Sequence, residues 1–163
     1  MNGQRQISWH EAEAEVPDLA ASVRHRLEAH RHLVMATLRA DGSPRLCGTE
    51  ATFWDGDLWI GAMAGSRRFA DLRRDPRIAL HSGSDDPPNW TGDARVAGQA
   101  VIVDDEAVKG AFLAATGNQA VGPFELARVL VGDLALVSLT PAGDALAVTS
   151  WRPGELVRRT ERR

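Results

Sequence analysis

Two Asp-Gly dipeptides, Asp41-Gly42 and Asp55-Gly56, stand between apolar runs and constrain this chain more than any other feature of it. Glycine adopts the left-handed backbone that a two-residue hairpin turn requires, and aspartate is one of the few residues that tolerates it beside glycine. The flanking segments HLVMATLR, PRLCGTEATFW and DLWIGAM alternate apolar and polar positions, the period of a strand with one buried face. Residues 32–63 therefore read as a three-stranded antiparallel meander.

Around that meander the spacing predicts further elements. Between Pro17 and His30 the residues Leu19, Val23 and Leu27 recur every fourth position, the stripe of an amphipathic helix with proline in its first turn. A short helix is expected from Arg67 to Arg74, with Ser66 as its N-cap, Phe69 and Leu72 facing inward and Pro76 stopping it. RIALHSG then reads as a strand, SDDPPNWTGD as a polar loop, and DARVAGQAVIVD as a strand bent or closely approached at Gly98. DEAVKGAFLAAT and GPFELARVL read as helical, DLALVSLT and ALAVTSW as strands joined at Pro141–Asp144, and the arginine-rich end as disordered or tucked into an interface. The expected fold is mainly β with flanking helices (α+β): a barrel of about six antiparallel strands that removes its edges by closing on itself. At 163 residues a single domain is expected, with a helical segment at 1–31, the barrel at 32–151 and the tail at 152–163.

Composition narrows the function. Hydrophobic residues make up 44% and charged residues 25%, a globular balance far from that of disorder. The opening MNGQRQISWHEAEAEV does not read as a secretory leader, and no run approaches the ~18 apolar residues of a membrane span, so the expectation is a cytoplasmic protein with no membrane partner. Cys47 stands alone, which excludes an internal disulfide. His25, His30 and His32 lack acidic ligands in a recognised pattern, so no metal is expected. The tail arginines Arg152, Arg158, Arg159, Arg162 and Arg163 invite a nucleic-acid reading, but a pI of 5.9 and the lack of interleaved aromatics oppose it. No set of nucleophile, base and orienting residue is present, so no catalytic side chain is assigned.

The segment AGSRRFADLRRDPRIALHSG, residues 64–83, carries the strongest chemical signal. A helix N-terminus offers unpaired N–H groups and a positive dipole end, and here Ser66, Arg67 and Arg68 add a hydroxyl and two guanidinium forks, a set suited to phosphate. A second reading stays open: Arg67 and Arg68 stand four and three residues before Asp71, as on any solvated helix. Arg73 and Arg74 complement the helix C-terminus and are read as structural.

The order of these parts, in ATLRADGSPRL, DGDLWIGAMAGSRRFADLRRDPRIALH and GDARVAGQAVIV, resembles the pyridoxamine 5′-phosphate oxidase-like split β-barrel superfamily with its flavin and deazaflavin oxidoreductases. The resemblance implies a homodimer with cofactor grooves lined by both subunits. It implies Ser66, Arg67 and Arg68 as the phosphate group, with Cys47, Gly48, Thr49, Glu50, Ile60, Gly61 and Ala62 running beside the ring and its side chain. It also implies FMN or the deazaflavin coenzyme F-420 and hydride transfer to or from a small organic substrate. The strand Leu46–Ala51 lacks the basic residues of a true pyridoxamine phosphate oxidase, so vitamin B6 oxidation is not expected. The rival implied by the same fold is a non-enzymatic protein that holds flavin, deazaflavin or haem. Trp54 and Trp59 read as a cross-strand or interface pair, and His81, Trp90 and Trp151 as packing residues with a groove-facing alternative.

Overall fold

A computed structural model describes residues 5–117 and 122–163; residues 1–4 of the expected N-terminal segment lie outside the described residues. The elements run α1 (Trp9–Glu15), α2 (Pro17–Ala29), β1 (Leu33–Leu38), β2 (Pro44–Thr49), β3 (Ala51–Trp54), β4 (Asp57–Met63), α3 (Arg67–Arg74), β5 (Arg77–His81), β6 (Asp93–Val103), α4 (Glu106–Thr116), β7 (Phe124–Leu139), β8 (Leu146–Trp151) and β9 (Arg158–Arg162).

Both Asp-Gly turns form. Asp55 and Gly56 have φ of 48° and 73°, positive at both positions as a mirror-image type I turn demands, and Trp54 faces Asp57 across it. The meander expected over 32–63 divides, however. β2 pairs with β1 and β3 with β4, and only Glu50 separates β2 from β3. The hydrogen-bonded path is β2-β1-β5-β6-β7-β4-β3, antiparallel throughout, so chain-adjacent β2 and β3 stand at its two ends. Glu50 thus joins those ends and makes the sheet curl into a barrel, which protects edges that an open sheet would leave unpaired.

Among the described residues, nine strands stand where about six were expected. GPFELARVL is strand, not helix: one edge of β7 pairs with β4 through Phe124–Val129 and with β8 through Leu134–Leu139, while its other edge follows β6. A short apolar run carries no period that separates a strand buried on both faces from a helix. The tail is likewise ordered, since Arg158–Arg162 pairs with β8 as β9. Between Ala97 and Gly98 the β6–β7 ladder shifts register. A Cβ at Gly98 would lie 1.8 Å from the Leu130 carbonyl oxygen, so this bulge admits only glycine.

The barrel interior is filled by Leu33, Met35, Leu58, Ile60, Leu80, Val96, Val129 and Leu134, each worth roughly 1.5–3 kcal/mol on burial. The helices α1 and α2 pack on this core. A capping box starts α1: Glu11 N donates to Ser8 Oγ at 3.1 Å and Ser8 N donates to Glu11 Oε2 at 2.8 Å. The fully buried Trp9 meets Phe53 edge-on at 4.7 Å. α2 starts at Pro17 and buries Leu19, Val23 and Leu27, the stripe read from the sequence. α3 buries Phe69 and Leu72, with Ser66 as its cap. Among the described residues, no helix is long and apolar enough to cross a membrane.

Candidate functional site

The floor of the candidate site is built where the barrel closes. Gly48 on β2 and Gly61 on β4 both offer carbonyl oxygens to one side chain: Arg68 Nη1 donates to Gly48 O at 2.7 Å and Nη2 to Gly61 O at 3.0 Å. Arg68 therefore ties the two strands together with its fork. Its Nε is sealed from solvent and has no hydrogen-bond partner among the described residues, a donor left uncompensated.

Above this floor opens a cavity of about 610 Å³, within the range of cofactor pockets. Gly48, Thr49, Glu50, Gly61, Ala62 and Arg68 line it, six of the residues singled out from the sequence. A Cβ at Gly48 would meet nothing within 4 Å, and one at Gly61 only the Glu125 carbonyl oxygen at 3.7 Å. The missing side chains thus open space rather than relieve crowding in the barrel. Trp59, Phe112, Leu113 and Phe124 supply an apolar wall. Behind it Trp54 and Trp59 pack at 5.3 Å, with Trp59 Nε1 donating to the Trp54 carbonyl.

Four of the singled-out residues stand off the lining. Ile60 is in the core at 1% exposure, and the partly buried Cys47 packs against that core. Ser66 accepts from Phe69 N at 3.4 Å as the helix cap and lies 3.4 Å from Glu125 Oε2, to which its hydroxyl donates. Arg67 is exposed and its side chain makes no hydrogen bond or ion pair among the described residues. The structure thus brings Arg68 and the glycines together and leaves Arg67 outside the pocket lining.

Sequence reasoning missed Arg31, His32 and the segment 122–124 on the pocket wall. Arg31 Nε donates to Glu50 Oε1 at 2.9 Å, and His32 Nε2 lies 3.6 Å from the same oxygen. No short motif marks them, because the turn out of α2 is carried to the pocket by barrel closure. Of His81, Trp90 and Trp151, the first is exposed, the second half-buried and the third buried. His81 Nδ1 lies 2.8 Å from Ser82 O, Trp90 Nε1 donates to Asp93, and the buried Trp151 donates to Glu155 O. His81 and Trp151 border a separate cavity of about 390 Å³ on the far strands β6–β9. Among the described residues, no group of three or more His, Cys, Asp and Glu could hold a metal ion.

The arginines at the other end of α3 are held by carboxylates. Asp71, 4% exposed, accepts from Arg45 Nε at 2.6 Å, Thr37 Oγ1 at 2.9 Å and Arg74 Nη2 at 3.2 Å. Its pKa falls from 3.8 to about 2, chiefly through the Arg45 hydrogen bond.

The sequence model described as pyridoxamine 5′-phosphate oxidase matches residues 19–143. No curated protein matches the sequence. Among solved structures, a pyridoxamine 5′-phosphate oxidase-related, FMN-binding protein from Nostoc punctiforme is similar at TM-score 0.59 and 13% identity, covering 92% of this chain and 96% of that one. PhzG from Burkholderia lata, solved with tetrahydrophenazine-1-carboxylic acid, is similar at TM-score 0.59 and 16% identity over 93% of this chain and 91% of that one. A haem-binding protein from Mycobacterium smegmatis is similar at TM-score 0.56 and 17% identity, covering 86% of this chain and 57% of that one.

Proposed function

The chain belongs to the pyridoxamine 5′-phosphate oxidase family, and from that premise we propose that it is an oxidoreductase that binds FMN or the deazaflavin coenzyme F-420 and acts on a small organic substrate. The observation that carries this reading is the floor of the pocket. Two glycines leave the backbone bare above Arg68, whose fork ties their two strands together, and a flat ring fits against bare backbone with no side chain in its way. The bound ring would supply the hydride chemistry. The residues of the chain bind and orient it: Gly48 and Gly61 admit its plane, Trp59 and Phe112 exclude water, and Ser66 and Arg67 at the start of α3 supply phosphate contacts. The protein acts as a homodimer in the cytoplasm, and the half-exposed Val34 and the exposed Leu46 on the outer face of β1 and β2 are candidate contact residues.

A second reading is non-enzymatic binding of a flavin, a deazaflavin or haem. His32 favours it, as the histidine among the described lining residues, since imidazole is a common haem ligand.

Fluorescence titration with FMN and with coenzyme F-420, beside a variant carrying Arg67→Ala and Arg68→Ala, tests the proposal. Micromolar or tighter binding of one cofactor, lost in the variant, is the expected result. Binding of neither cofactor overturns it. Steady consumption of the reduced cofactor with an electron acceptor present selects the enzyme, and tight binding without turnover selects the second reading.

A further inference from the structure

Two arginines and one glutamate are the permanently charged residues lining the pocket among those described, so its interior favours an anion. The two arginines differ in what they have left to give. Arg68 spends both terminal nitrogens on the carbonyls of Gly48 and Gly61, and its Nε is sealed off. Arg31 spends only Nε, on Glu50 Oε1 at 2.9 Å, and its Nη1 and Nη2 make no hydrogen bond among the described residues. Its side chain is 77% exposed and that of Glu50 44%, and an ion pair so open to water is weak and leaves most of the Arg31 charge to an incoming anion. The two terminal nitrogens of a guanidinium match the two oxygens of a carboxylate or phosphate.

We propose that Arg31 is the anion-recognising residue of this pocket, taking a carboxylate or phosphate of the occupant on its two free terminal nitrogens while Glu50 holds Nε in place. The assignment rests on the reading above that the pocket holds a cofactor and a substrate. It gives the occupant a shape: a flat apolar body against Trp59 and Phe112, with an oxyanion toward the junction of β2 and β3. That oxyanion has two sources, the phosphate of the cofactor and an acidic group of the substrate.

Two ligand pairs separate the sources: FMN against riboflavin, and 2-naphthoate against 2-naphthamide. Each is titrated by fluorescence into the wild type, Arg31→Gln, Arg31→Lys and Glu50→Gln. The wild type is expected to prefer the charged member of at least one pair by about tenfold or more. Arg31→Gln abolishes that preference, Arg31→Lys keeps part of it, and Glu50→Gln increases it. Loss in the flavin pair identifies the cofactor phosphate as the anion, and loss in the naphthyl pair identifies a substrate carboxylate. Preferences unchanged in Arg31→Gln, or absent from the wild type, overturn the assignment. An Arg31-dependent naphthoate preference in a protein that binds neither flavin nor coenzyme F-420 upholds the assignment and overturns the proposed function. Binding of none of the probes by the wild type overturns both.

Discussion

The two ends of α3 each carry a pair of arginines, and the structure treats them oppositely. At the C-terminal end Arg74 bonds the Leu38 carbonyl and Asp71, and Arg73 bonds Asp104 and Glu125. At the N-terminal end Arg67 has no partner among the described residues, and Arg68 bonds two carbonyls but leaves a buried Nε unmatched. Matched polar groups hold a fold together, and unmatched ones cost stability unless a ligand completes them. The helix is thus anchored at one end and open at the other.

The largest effect is expected at the anchor. Asp71→Ala removes the acceptor of three donors and strands Arg45, so we expect a loss of about 3 kcal/mol in denaturant unfolding; a loss below about 1 kcal/mol removes the anchor from the comparison. The same carboxyl sets an acid limit. Its folded pKa, about 2, lies below the ordinary 3.8, so its contribution is complete above about pH 4 and is lost as pH falls toward 2. Asp71→Asn should flatten stability across that window. Some slope remains, because Arg77 also lowers Asp75 to about 2.

Next comes the open end. Arg68→Ala frees the carbonyls of Gly48 and Gly61 and also removes an unpartnered donor, so a stability loss of about 1–2 kcal/mol is expected. Cofactor affinity should fall by about tenfold or more. A variant that unfolds readily yet binds normally would move Arg68 to the structural side. Gly48→Val separates the two roles more cleanly. Its Cβ meets nothing within 4 Å, and no positive φ demands glycine there, so thermal stability should stay within about 0.5 kcal/mol while the added side chain blocks the pocket. Loss of fold in that variant would mean that the glycine serves the barrel.

The anchored end was easier to read in the sequence than the open one. The buried Phe69 and Leu72 and the structural role of Arg73 and Arg74 follow from spacing within one helix, where the local period decides who faces whom. The hairpins at Asp41-Gly42 and Asp55-Gly56 were legible for the same reason. The pocket was legible in part. Gly48 and Gly61 were marked as bare backbone, but Arg31, His32 and Phe112 come from the turn after α2 and from α4. Only barrel closure through Glu50 brings them together, and no local signal encodes a contact of that separation. Residues 124–130 were misread as helix because an apolar strand buried between two neighbours shows no clean alternation.

The smallest effect is the sharpest check on the comparison. Arg73 is 44% exposed and Asp104 70%, so water already screens that pair, and Arg73→Ala should lower Tm by no more than about 2 °C. Its other partner is less forgiving. Glu125 is 14% exposed and, among the described residues, keeps only the Ser66 hydroxyl, at 3.4 Å, once Arg73 is gone. The released carboxylate then lies beside the α3 N-terminus, where it competes with an incoming phosphate. Arg73→Ala should therefore weaken FMN binding slightly, by about twofold, and riboflavin binding not at all. Arg67→Ala, at the open end, should leave Tm unchanged and weaken FMN alone. A large Tm loss in Arg67→Ala, or equal effects of Arg73→Ala on FMN and riboflavin, would show that the two ends of the helix do not divide anchoring from binding in this way.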